Sequence, residues 1–268
     1  MKYQVDYRGR TALITGASAG IGAAFARGLA ARGCDVVLVA RREDRLKALA
    51  AEVEQNNAVT ATVVAADLSA NDAPARIFHE VQAQGIQTDI LVNNAGFGIY
   101  GRFETFDPAR DLDLVMVNVA AYVGMTHQFL PGMIERGDGV VINVSSAAAF
   151  QALPYQITYA ASKAFVQSFS DGLWAENQGS GVRVVSCAPA ATDTEYFEVI
   201  GNDEEARFGP KRPPEGVVAD TLRALDRGRM YTVVGAPWKV MANVPRLLPR
   251  TTYAKICERM TRPRRAAA

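Results

Sequence analysis

Tyr159 and Lys163 form the only Tyr-x-x-x-Lys pair in the chain. Residues four apart lie on the same face of a helix, so the phenol and the ammonium would face one site. A free tyrosine titrates near pH ~10, and a neighbouring cation stabilises the phenolate and lowers that pKa. The pair could therefore exchange a proton with a carbonyl or an alcohol. Taken alone, it could also be an incidental pair on a helix surface.

Three further polar residues fall where they could join this pair. Ser146 ends a predicted strand thirteen residues before Tyr159, and doubly wound sheets bind ligands at the carboxyl ends of their strands. Its hydroxyl could donate a hydrogen bond to a substrate oxygen. Asn94 follows another strand, in an Asn-Asn-Ala-Gly run, and Asn118 lies in an apolar helical segment. A buried asparagine must be satisfied by protein groups or hold an ordered water.

A glycine-rich turn, Thr15–Gly22, follows the first predicted strand and leads directly into a helix. Gly16 permits a tight turn, Gly20 lets the backbone approach a pyrophosphate, and Gly22 lets the helix pack close to the strand. The helix N-terminus then offers free N–H groups to phosphates. The residues predicted to bind the phosphates are Gly16, Ser18, Ala19, Gly20, Ile21 and Gly22.

The same turn contains Gly16-x-Ser18-x-Gly20, which matches the nucleophile elbow of α/β-hydrolases. Such a hydrolase needs strands before the elbow, and an acid followed by a histidine late in the chain. Only 17 residues precede Ser18, and the two histidines, His79 and His127, lie in predicted helices. The sequence therefore favours nucleotide binding over hydrolysis.

Two arginines follow the second predicted strand, where a nicotinamide-binding fold meets the adenosine ribose. An acidic residue there favours NAD, whereas arginine favours the 2′-phosphate of NADP. Arg41 is placed to fork onto phosphate oxygens, with Arg42 close by, which predicts NADP(H) as the cofactor. The arginines could instead merely solvate a helix start. Asp67, followed by Leu68, comes after the third strand, where it could accept from the adenine amino group or cap a helix.

Seven short apolar runs alternate with helix-length segments, as expected for a parallel sheet covered on both faces. The predicted strands are 11–15, 35–40, 60–66, 89–93, 139–145, 182–188 and 230–235. The predicted helices are 21–32, 43–55, 72–84, 108–136, 157–178 and 214–227. Right-handed crossovers between such strands predict a Rossmann-like, doubly wound α/β fold with a seven-stranded parallel sheet. We expect one domain over residues 1–236, with a helical extension over 237–268 that belongs to the same domain.

Two segments depart from this alternation. Residues 195–214 mix charges, glycines and prolines, which is typical of a lid over a site or of a plain surface loop. In the tail, five apolar residues would share one helical face: Val240, Met241, Val244, Leu247 and Leu248. That face could cover the substrate cleft, pack on a second subunit, contact a membrane or belong to the core.

The composition argues against several classes of protein. Apolar residues make up 49% of the 268, which is typical of a globular chain, and a formal net charge of +1 leaves no basic surplus for nucleic acid. Cys34, Cys187 and Cys257 form no CxxC pair, which argues against disulfides and thiolate metal sites and favours a reducing cytoplasm. We expect no metal and no secretory signal. The uncharged run 114–134 is interpreted as a buried helix rather than a transmembrane segment.

The order of these motifs resembles the short-chain dehydrogenase/reductase family over residues 9–235, with TGxxxGIG at 15–22, NNAG at 93–96 and YxxxK at 159–163. The resemblance implies a catalytic tetrad of Asn118, Ser146, Tyr159 and Lys163. Tyr159 would be the general acid/base, and Ser146 would orient the substrate oxygen. Lys163 would bind the nicotinamide ribose and lower the pKa of Tyr159. Asn118 would hold a water in a proton relay to Lys163.

The resemblance also implies further cofactor contacts and an assembly. The cofactor residues are Asn94, Ala95 and Gly96 after the fourth strand and Pro189, Thr192 and Thr194 after the sixth. The family usually has glycine where this chain has Ala190, and alanine cannot adopt a positive φ as cheaply. The loop that carries Thr192 could therefore lie differently beside the nicotinamide. A homodimer or homotetramer would form through the helices 108–136 and 157–178.

The predicted reaction is hydride transfer between NADP(H) and a carbonyl/alcohol pair. Besides Ser146, the predicted substrate-binding residues are Phe97, Phe150, Tyr155 and Tyr196. Their bulk suggests an apolar substrate such as a lipid-like ketone, an acyl carbonyl or a sterol, although aromatic residues near a cleft are often only its walls. Two alternatives stay open on the same fold: a non-catalytic NADP-sensing protein and a Tyr/Lys-dependent epimerase.

Overall fold

A seven-stranded parallel sheet lies at the centre of the protein. The computed structural model describes residues 4–200, 211–235, 244 and 247–262. The strands are β1 (Thr11–Thr15), β2 (Asp35–Ala40), β3 (Ala61–Ala65), β4 (Ile90–Asn93), β5 (Gly139–Val144), β6 (Val182–Pro189) and β7 (Tyr231–Val234). They pair in the order β3-β2-β1-β4-β5-β6-β7. The predicted doubly wound α/β fold is confirmed, and each strand lies within about one residue of its predicted bounds.

Helices cover both faces of this sheet. They are α1 (Gly20–Ala30), α2 (Glu43–Asn56), α3 (Ala73–Ala83), α4 (Pro108–Val115), α5 (Ala121–Glu135), α6 (Ile157–Glu176), α7 (Tyr196–Val199), α8 (Pro214–Asp226) and α9 (Arg250–Thr261). The sequence predicted one helix over 108–136, but a π-helical turn, Met116–Ala120, joins α4 to α5. Such turns are rare and concentrate at functional sites.

Alternate strand residues face two separate apolar layers. On one face, Ile14 and Leu38 pack in a cluster with α1, α2 and α8, whereas on the other face Leu13 and Val37 pack in a cluster with α3 and α5. All four side chains are fully buried. Because both faces are covered, both sets of strand residues must be apolar. The strands therefore appear in the sequence as continuous apolar runs.

The strand order reverses beside β1, because the chain passes from β3 at one edge to β4 on the other side of β1. The loops that follow β1 and β4 therefore diverge and leave a crevice at the carboxyl edge of the sheet. Asn94 ties the walls of this crevice together. Its side-chain amide donates to the Thr15 carbonyl at 2.8 Å, and its backbone N–H donates to Thr15 Oγ1 at 2.9 Å.

Several expectations fall on the tail and on the middle of the proposed lid. The domain division at residue 236 lies outside the described residues, as do Val240 and Met241 of the predicted apolar face and residues 201–210. Leu247 and Leu248 are described, and they lie exposed in a turn before α9 rather than in a helix. Among the helices that the structure describes, none is long and apolar enough to cross a membrane.

Candidate active site

The glycine-rich turn after β1 has the positive φ values that its glycines were expected to permit. Gly16 and Gly20 adopt φ values of +68° and +54°, which side chains other than hydrogen rarely tolerate. Gly22 does not line the cleft. A Cβ there would lie 2.2 Å from the Gly16 carbonyl oxygen, so its part in the site is to let α1 pack against the turn.

One cleft of about 600 Å³ runs along the carboxyl edge of the sheet. It collects nearly all of the predicted cofactor residues from six separate parts of the sequence. These are Gly16, Ser18, Ala19, Gly20, Ile21, Arg41, Arg42, Asp67, Leu68, Asn94, Ala95, Gly96, Tyr159, Lys163, Pro189, Thr192 and Thr194. The convergence follows from the fold, because the loops after parallel strands meet at one edge of the sheet.

At one end of the cleft, Arg42 rather than Arg41 makes the specific contacts. Its Nε and Nη2 donate to Ser18 Oγ at 3.2 and 3.1 Å, and its Nη1 donates to Glu195 Oε2 at 2.8 Å. Arg45 also donates to the Glu195 carboxylate. These charged hydrogen bonds hold the pKa of Glu195 below its usual range, against the opposing effect of burial. This corner therefore binds an anionic group through two arginines, one of which is held by Ser18.

Asp67 closes the same end of the cleft. Its Oδ1 accepts from the backbone N–H and the hydroxyl of Ser69 at 3.0 and 2.9 Å. Burial acts to raise the pKa of Asp67, but the Ser69 hydrogen bonds and the charge of Arg41 outweigh it and leave the pKa lowered. The carboxylate caps its own turn and does not cap α3, for which Asp72 is the N-cap residue.

At the other end, α6 presents Tyr159 to the loop after β5. The Tyr159 phenol faces the hydroxyls of Ser146 and Tyr196, which are near enough to act on its pKa. Ser146 is held in place by its own backbone turn, since its Oγ accepts from the Ala148 N–H at 3.1 Å. Three hydroxyl groups therefore meet at one point in the cleft, where they could share a substrate oxygen.

Burial sets the protonation of Tyr159. Desolvation raises the pKa of Tyr159 above its usual value, and the hydrogen bonds from Ser146 and Tyr196 offset this only in part. The predicted lowering by Lys163 does not prevail, because the Lys163 Nζ lies 6.0 Å from the centre of the Tyr159 ring. A neutral phenol is the form that can donate a proton to a carbonyl oxygen.

Lys163 is fixed to the end of β5. Its Nζ donates to the Val144 carbonyl at 2.9 Å and lies 3.5 Å from the Tyr122 hydroxyl. In return, Ser145 Oγ donates to the Lys163 carbonyl at 2.9 Å. Burial lowers the pKa of Lys163 to about 8, because an ammonium taken out of water loses hydration.

Asn118 lies fully buried in the π-helical turn. Its Oδ1 accepts from the Phe97 N–H at 3.1 Å, and its Nδ2 donates to the Phe97 carbonyl at 3.0 Å and to Ser162 Oγ at 3.1 Å. The side chain therefore clamps the loop after β4. Gly96 separates it from Lys163, since a Cβ on Gly96 would lie 3.1 Å from Asn118 Oδ1 and 3.2 Å from Lys163 Nζ.

The predicted substrate residues divide into two pairs. Phe97 and Tyr196 line the cleft, whereas Phe150 and Tyr155 do not. The Phe150 ring packs on Tyr231 of β7 with 6.2 Å between ring centres. Tyr155 has φ +67°, and its hydroxyl donates to Glu258 Oε1 of α9 at 3.0 Å. The expectation for these two residues needs correction, because the irregular chain between Ser146 and α6 turns their side chains away from the cleft.

Tyr196 approaches Tyr159 closely. The two rings lie 5.2 Å apart between centres, and the Tyr196 hydroxyl is also 3.5 Å from Gln156 Oε1. Room for Tyr196 depends on Gly98, since a Cβ there would lie 2.3 Å from the Tyr196 hydroxyl oxygen. Neither Gln156 nor Glu195 was predicted from the sequence, and no motif or spacing marks them.

The loop after β6 accepts alanine at the position where glycine was expected. Among the described residues other than glycine, only Tyr155 has a positive φ, so Ala190 follows an ordinary backbone path. Thr192 is tied to the returning chain, because Asp193 N–H donates to the Arg212 carbonyl at 2.8 Å. Thr194 reaches the glycine-rich turn, since a Cβ on Gly20 would lie 2.9 Å from Thr194 Cγ2.

Comparisons with known proteins point to one family. A sequence model of the family described as short chain dehydrogenase matches residues 10–205. A short chain dehydrogenase from Pseudocercospora fijiensis is 39% identical over 198 residues, which cover 72% of this chain and 63% of that protein. The chain thus spans less than two thirds of the length of this relative.

Two further proteins are similar over more of their length. The very-long-chain 3-oxoacyl-CoA reductase of Bos taurus is 32% identical over 256 residues, which cover 92% of this chain and 78% of the bovine protein. The solved structure of a short-chain dehydrogenase from Sphingobium yanoikuyae in complex with NADPH is 31% identical in sequence, with a TM-score of 0.80. That match covers 97% of this chain and 98% of the other.

Proposed function

The chain belongs to the short-chain dehydrogenase family, and from this premise we propose that it is an NADP(H)-dependent oxidoreductase that reduces the carbonyl group of a bulky apolar substrate. The observation that carries the proposal is the meeting of Tyr159, Ser146 and Lys163 with the glycine-rich turn in one cleft. The activity follows from the site, because the fold alone hosts many functions.

The glycine-rich turn fits a dinucleotide. Gly16 and Gly20 line the cleft, and each is packed so closely that a Cβ would lie about 2.8–2.9 Å from a neighbouring atom. Because these positions carry no side chain, the backbone can approach a pyrophosphate more closely than it could at any other residue. The N-terminus of α1 begins at Gly20 and points free N–H groups into the same space.

The chemistry of Arg42 supports NADP(H) over NAD(H). Arg42 already binds the Glu195 carboxylate and is held in place by Ser18, and Arg41 lines the cleft beside them. A 2′-phosphate offers the same kind of oxygen acceptors with a larger charge. The Sphingobium yanoikuyae structure with NADPH supports the same choice.

NADPH bound in this cleft would supply a hydride to the substrate carbon. The protein supplies the proton and the orientation. Tyr159, whose pKa burial raises further above neutrality, stays protonated and donates its phenolic proton to the substrate oxygen, and Ser146 donates a second hydrogen bond to the same oxygen. Lys163, anchored on Val144, places a cation behind Tyr159 that stabilises the phenolate left after proton transfer.

Apolar side chains at the Tyr159 end of the cleft support a lipid-like substrate. Phe97, Leu153, Phe197 and Val199 line this end together with Tyr196, and such walls bind hydrocarbon by excluding water from it. The name of the bovine relative, a very-long-chain 3-oxoacyl-CoA reductase, agrees with a 3-oxoacyl thioester as one substrate to test.

Two broader features belong to the same proposal. The three cysteines are buried and free, which supports a reducing compartment such as the cytoplasm. Exposed apolar residues on α4 and α6, among them Leu112, Ile157 and Phe165, support a homodimer or homotetramer built through these helices.

The proposal is tested first by binding. The purified protein is titrated with NADPH and, separately, with NADH while the fluorescence of the reduced nicotinamide is followed. We expect tight NADPH binding and weak NADH binding, and a larger loss of NADPH affinity in Arg42→Asp than in Arg41→Asp. A preference for NADH would overturn the choice of cofactor.

Turnover is then tested with apolar ketones and a 3-oxoacyl thioester. We expect net consumption of NADPH with formation of the alcohol. Product formed without net NADPH consumption would indicate an epimerase, and tight NADPH binding without turnover of any carbonyl compound would indicate a sensor.

A further inference from the structure

The positive charge of the chain is concentrated at its C-terminus. Residues 244–268 contain seven of the 29 Lys and Arg residues but only one of the 28 Asp and Glu residues, Glu258. The rest of the chain is therefore net negative, although the whole is nearly neutral. Such asymmetry marks a segment whose partner is anionic.

Helix α9 carries part of this charge on a face that does not contact the sheet. Tyr253, Cys257 and Thr261 are buried at a spacing of four residues and attach the helix to the protein. Lys255 and Arg259 are exposed and project from the other side, since they lie two residues from the buried positions.

Apolar side chains are exposed beside these cations. Ile256 is 40% exposed and Met260 58% exposed, and in the turn before the helix Leu247 is 81% exposed. An ordinary surface helix would place polar residues at these positions. Long cationic side chains next to apolar ones are typical of helices that lie on a lipid surface, where the cations reach the headgroups and the apolar groups enter the acyl boundary.

Helix α9 also lies at the substrate end of the cleft. The Tyr253 hydroxyl donates a hydrogen bond to Gln151 Oε1 at 2.9 Å, and Gln151 lines the cleft. Tyr155 donates to Glu258 at 3.0 Å, and Tyr100 donates to the Thr261 carbonyl at 2.9 Å. A partner on the exposed face of α9 would therefore sit next to the part of the cleft that has apolar walls.

We infer that the exposed face of α9, with Leu247 at its start, docks the protein on an anionic lipid bilayer and brings the substrate end of the cleft to the membrane surface. The charge complementarity favours anionic lipid over neutral lipid, and the exposed Ile256, Met260 and Leu247 favour a bilayer over a purely polar anion. Docking itself does not depend on the reductase activity. Only its use, the transfer of a lipid substrate from the bilayer to the cleft, rests on the proposed function.

The test uses the full-length protein and sedimentation with vesicles, without nucleotide or substrate. One set of vesicles is phosphatidylcholine alone, and the other also contains phosphatidylglycerol. We expect binding to the anionic vesicles only, weakened by salt. A basic residue near an anionic surface contributes about fivefold to binding, so Lys255→Glu/Arg259→Glu should weaken it by about 25-fold or more. Ile256→Ser/Met260→Ser should weaken it as well.

A matched control separates the site from net charge. Arg76→Glu/Arg223→Glu makes the same change in net charge at exposed positions in α3 and α8, and it should bind the vesicles much better than the α9 variant does. NADPH titration of each variant verifies that the fold is intact, since none of these residues lines the cleft.

Three results would overturn the inference: no binding to anionic vesicles, equal loss in the control variant, or equal binding to neutral vesicles. A decrease in the molecular mass in solution caused by Ile256→Ser/Met260→Ser, without vesicle binding by the unmodified protein, would instead identify the face as an interface between copies of the chain. Because vesicle binding is measured without turnover, its failure is distinguishable from failure of the proposed reductase activity.

Discussion

Replacing Glu195 with glutamine should tighten the binding of NADPH. The Glu195 carboxylate accepts hydrogen bonds from Arg42 and Arg45, while Arg42 also holds Ser18 of the glycine-rich turn. A 2′-phosphate that binds Arg42 must displace this carboxylate or lie beside it, and two negative groups on one guanidinium repel each other. Glutamine keeps the shape of the side chain and one acceptor oxygen but removes the competing charge.

The size of the effect follows from the exposure of the ion pairs. The side chains of Glu195, Arg42 and Arg45 are 35%, 41% and 46% exposed. Pairs as exposed as these contribute about 0.2–1 kcal/mol each, so the two together contribute about 0.4–2 kcal/mol. Because about 1.4 kcal/mol is a factor of ten in a dissociation constant, we expect NADPH to bind about twofold to about 30-fold more tightly to Glu195→Gln.

Nicotinamide fluorescence titrations of the unmodified protein and the variant, with NADPH and with NADH, measure this effect. NADH lacks the 2′-phosphate, so its Kd should not change. Glu52→Gln is the matched control, because Glu52 makes a two-pronged ion pair with Arg27 and neither residue lines the cleft. Weaker NADPH binding, or equal gains for both nucleotides, would refute the competition between Glu195 and the phosphate.

Tyr159→Phe should lower kcat by about 100-fold or more while NADPH affinity is largely kept, and near-normal kcat would remove the acid/base assignment. Gly98→Ala should lower kcat/KM without changing NADPH affinity, because the new Cβ would lie 2.3 Å from the Tyr196 hydroxyl oxygen. The control, Gly172→Ala, should leave kcat/KM unchanged, because a Cβ at Gly172 meets nothing within 4 Å. Lys163 has a pKa of about 8 in the folded protein and 10.5 in the reference state. Between these two pH values the unfolded chain binds more protons than the folded protein does. The free energy of unfolding should therefore rise with pH over this range, by roughly 3 kcal/mol. Lys163→Met should lack that rise in urea unfolding measured across this range, and equal pH dependence of the two proteins would contradict the depressed pKa.

The sequence predicts those parts of the site that depend on the ends of parallel strands. Ser146 and Asn94 follow β5 and β4, and the fold alone brings these ends to one edge of the sheet. The helical spacing of Tyr159 and Lys163 likewise places both on one face of α6. For these residues a local pattern is sufficient, because the regular elements determine where their side chains point.

The same reasoning could not predict contacts between residues far apart in the chain or side-chain directions in irregular segments. Glu195 lies 153 residues from Arg42 along the chain, and no spacing in the sequence relates them. Phe150 and Tyr155 were assigned to the cleft because of their place before α6, yet the direction of a side chain in a nonhelical segment depends on each φ and ψ value. The π-helical turn around Asn118 was missed for a similar reason, because one extra residue in a helical turn leaves the apolar pattern of 108–136 nearly unchanged.

Glu195 and Tyr196 are neighbours in the chain, yet they contact opposite ends of the cleft: the Glu195 carboxylate binds Arg42, and the Tyr196 ring packs on Tyr159. A ligand that displaces either residue moves the backbone they share. The free energies of binding at the two ends are thereby coupled, and coupling of this kind is reciprocal. Whatever factor NADPH imposes on the affinity for the carbonyl substrate through this dipeptide, the substrate must impose on the affinity for NADPH.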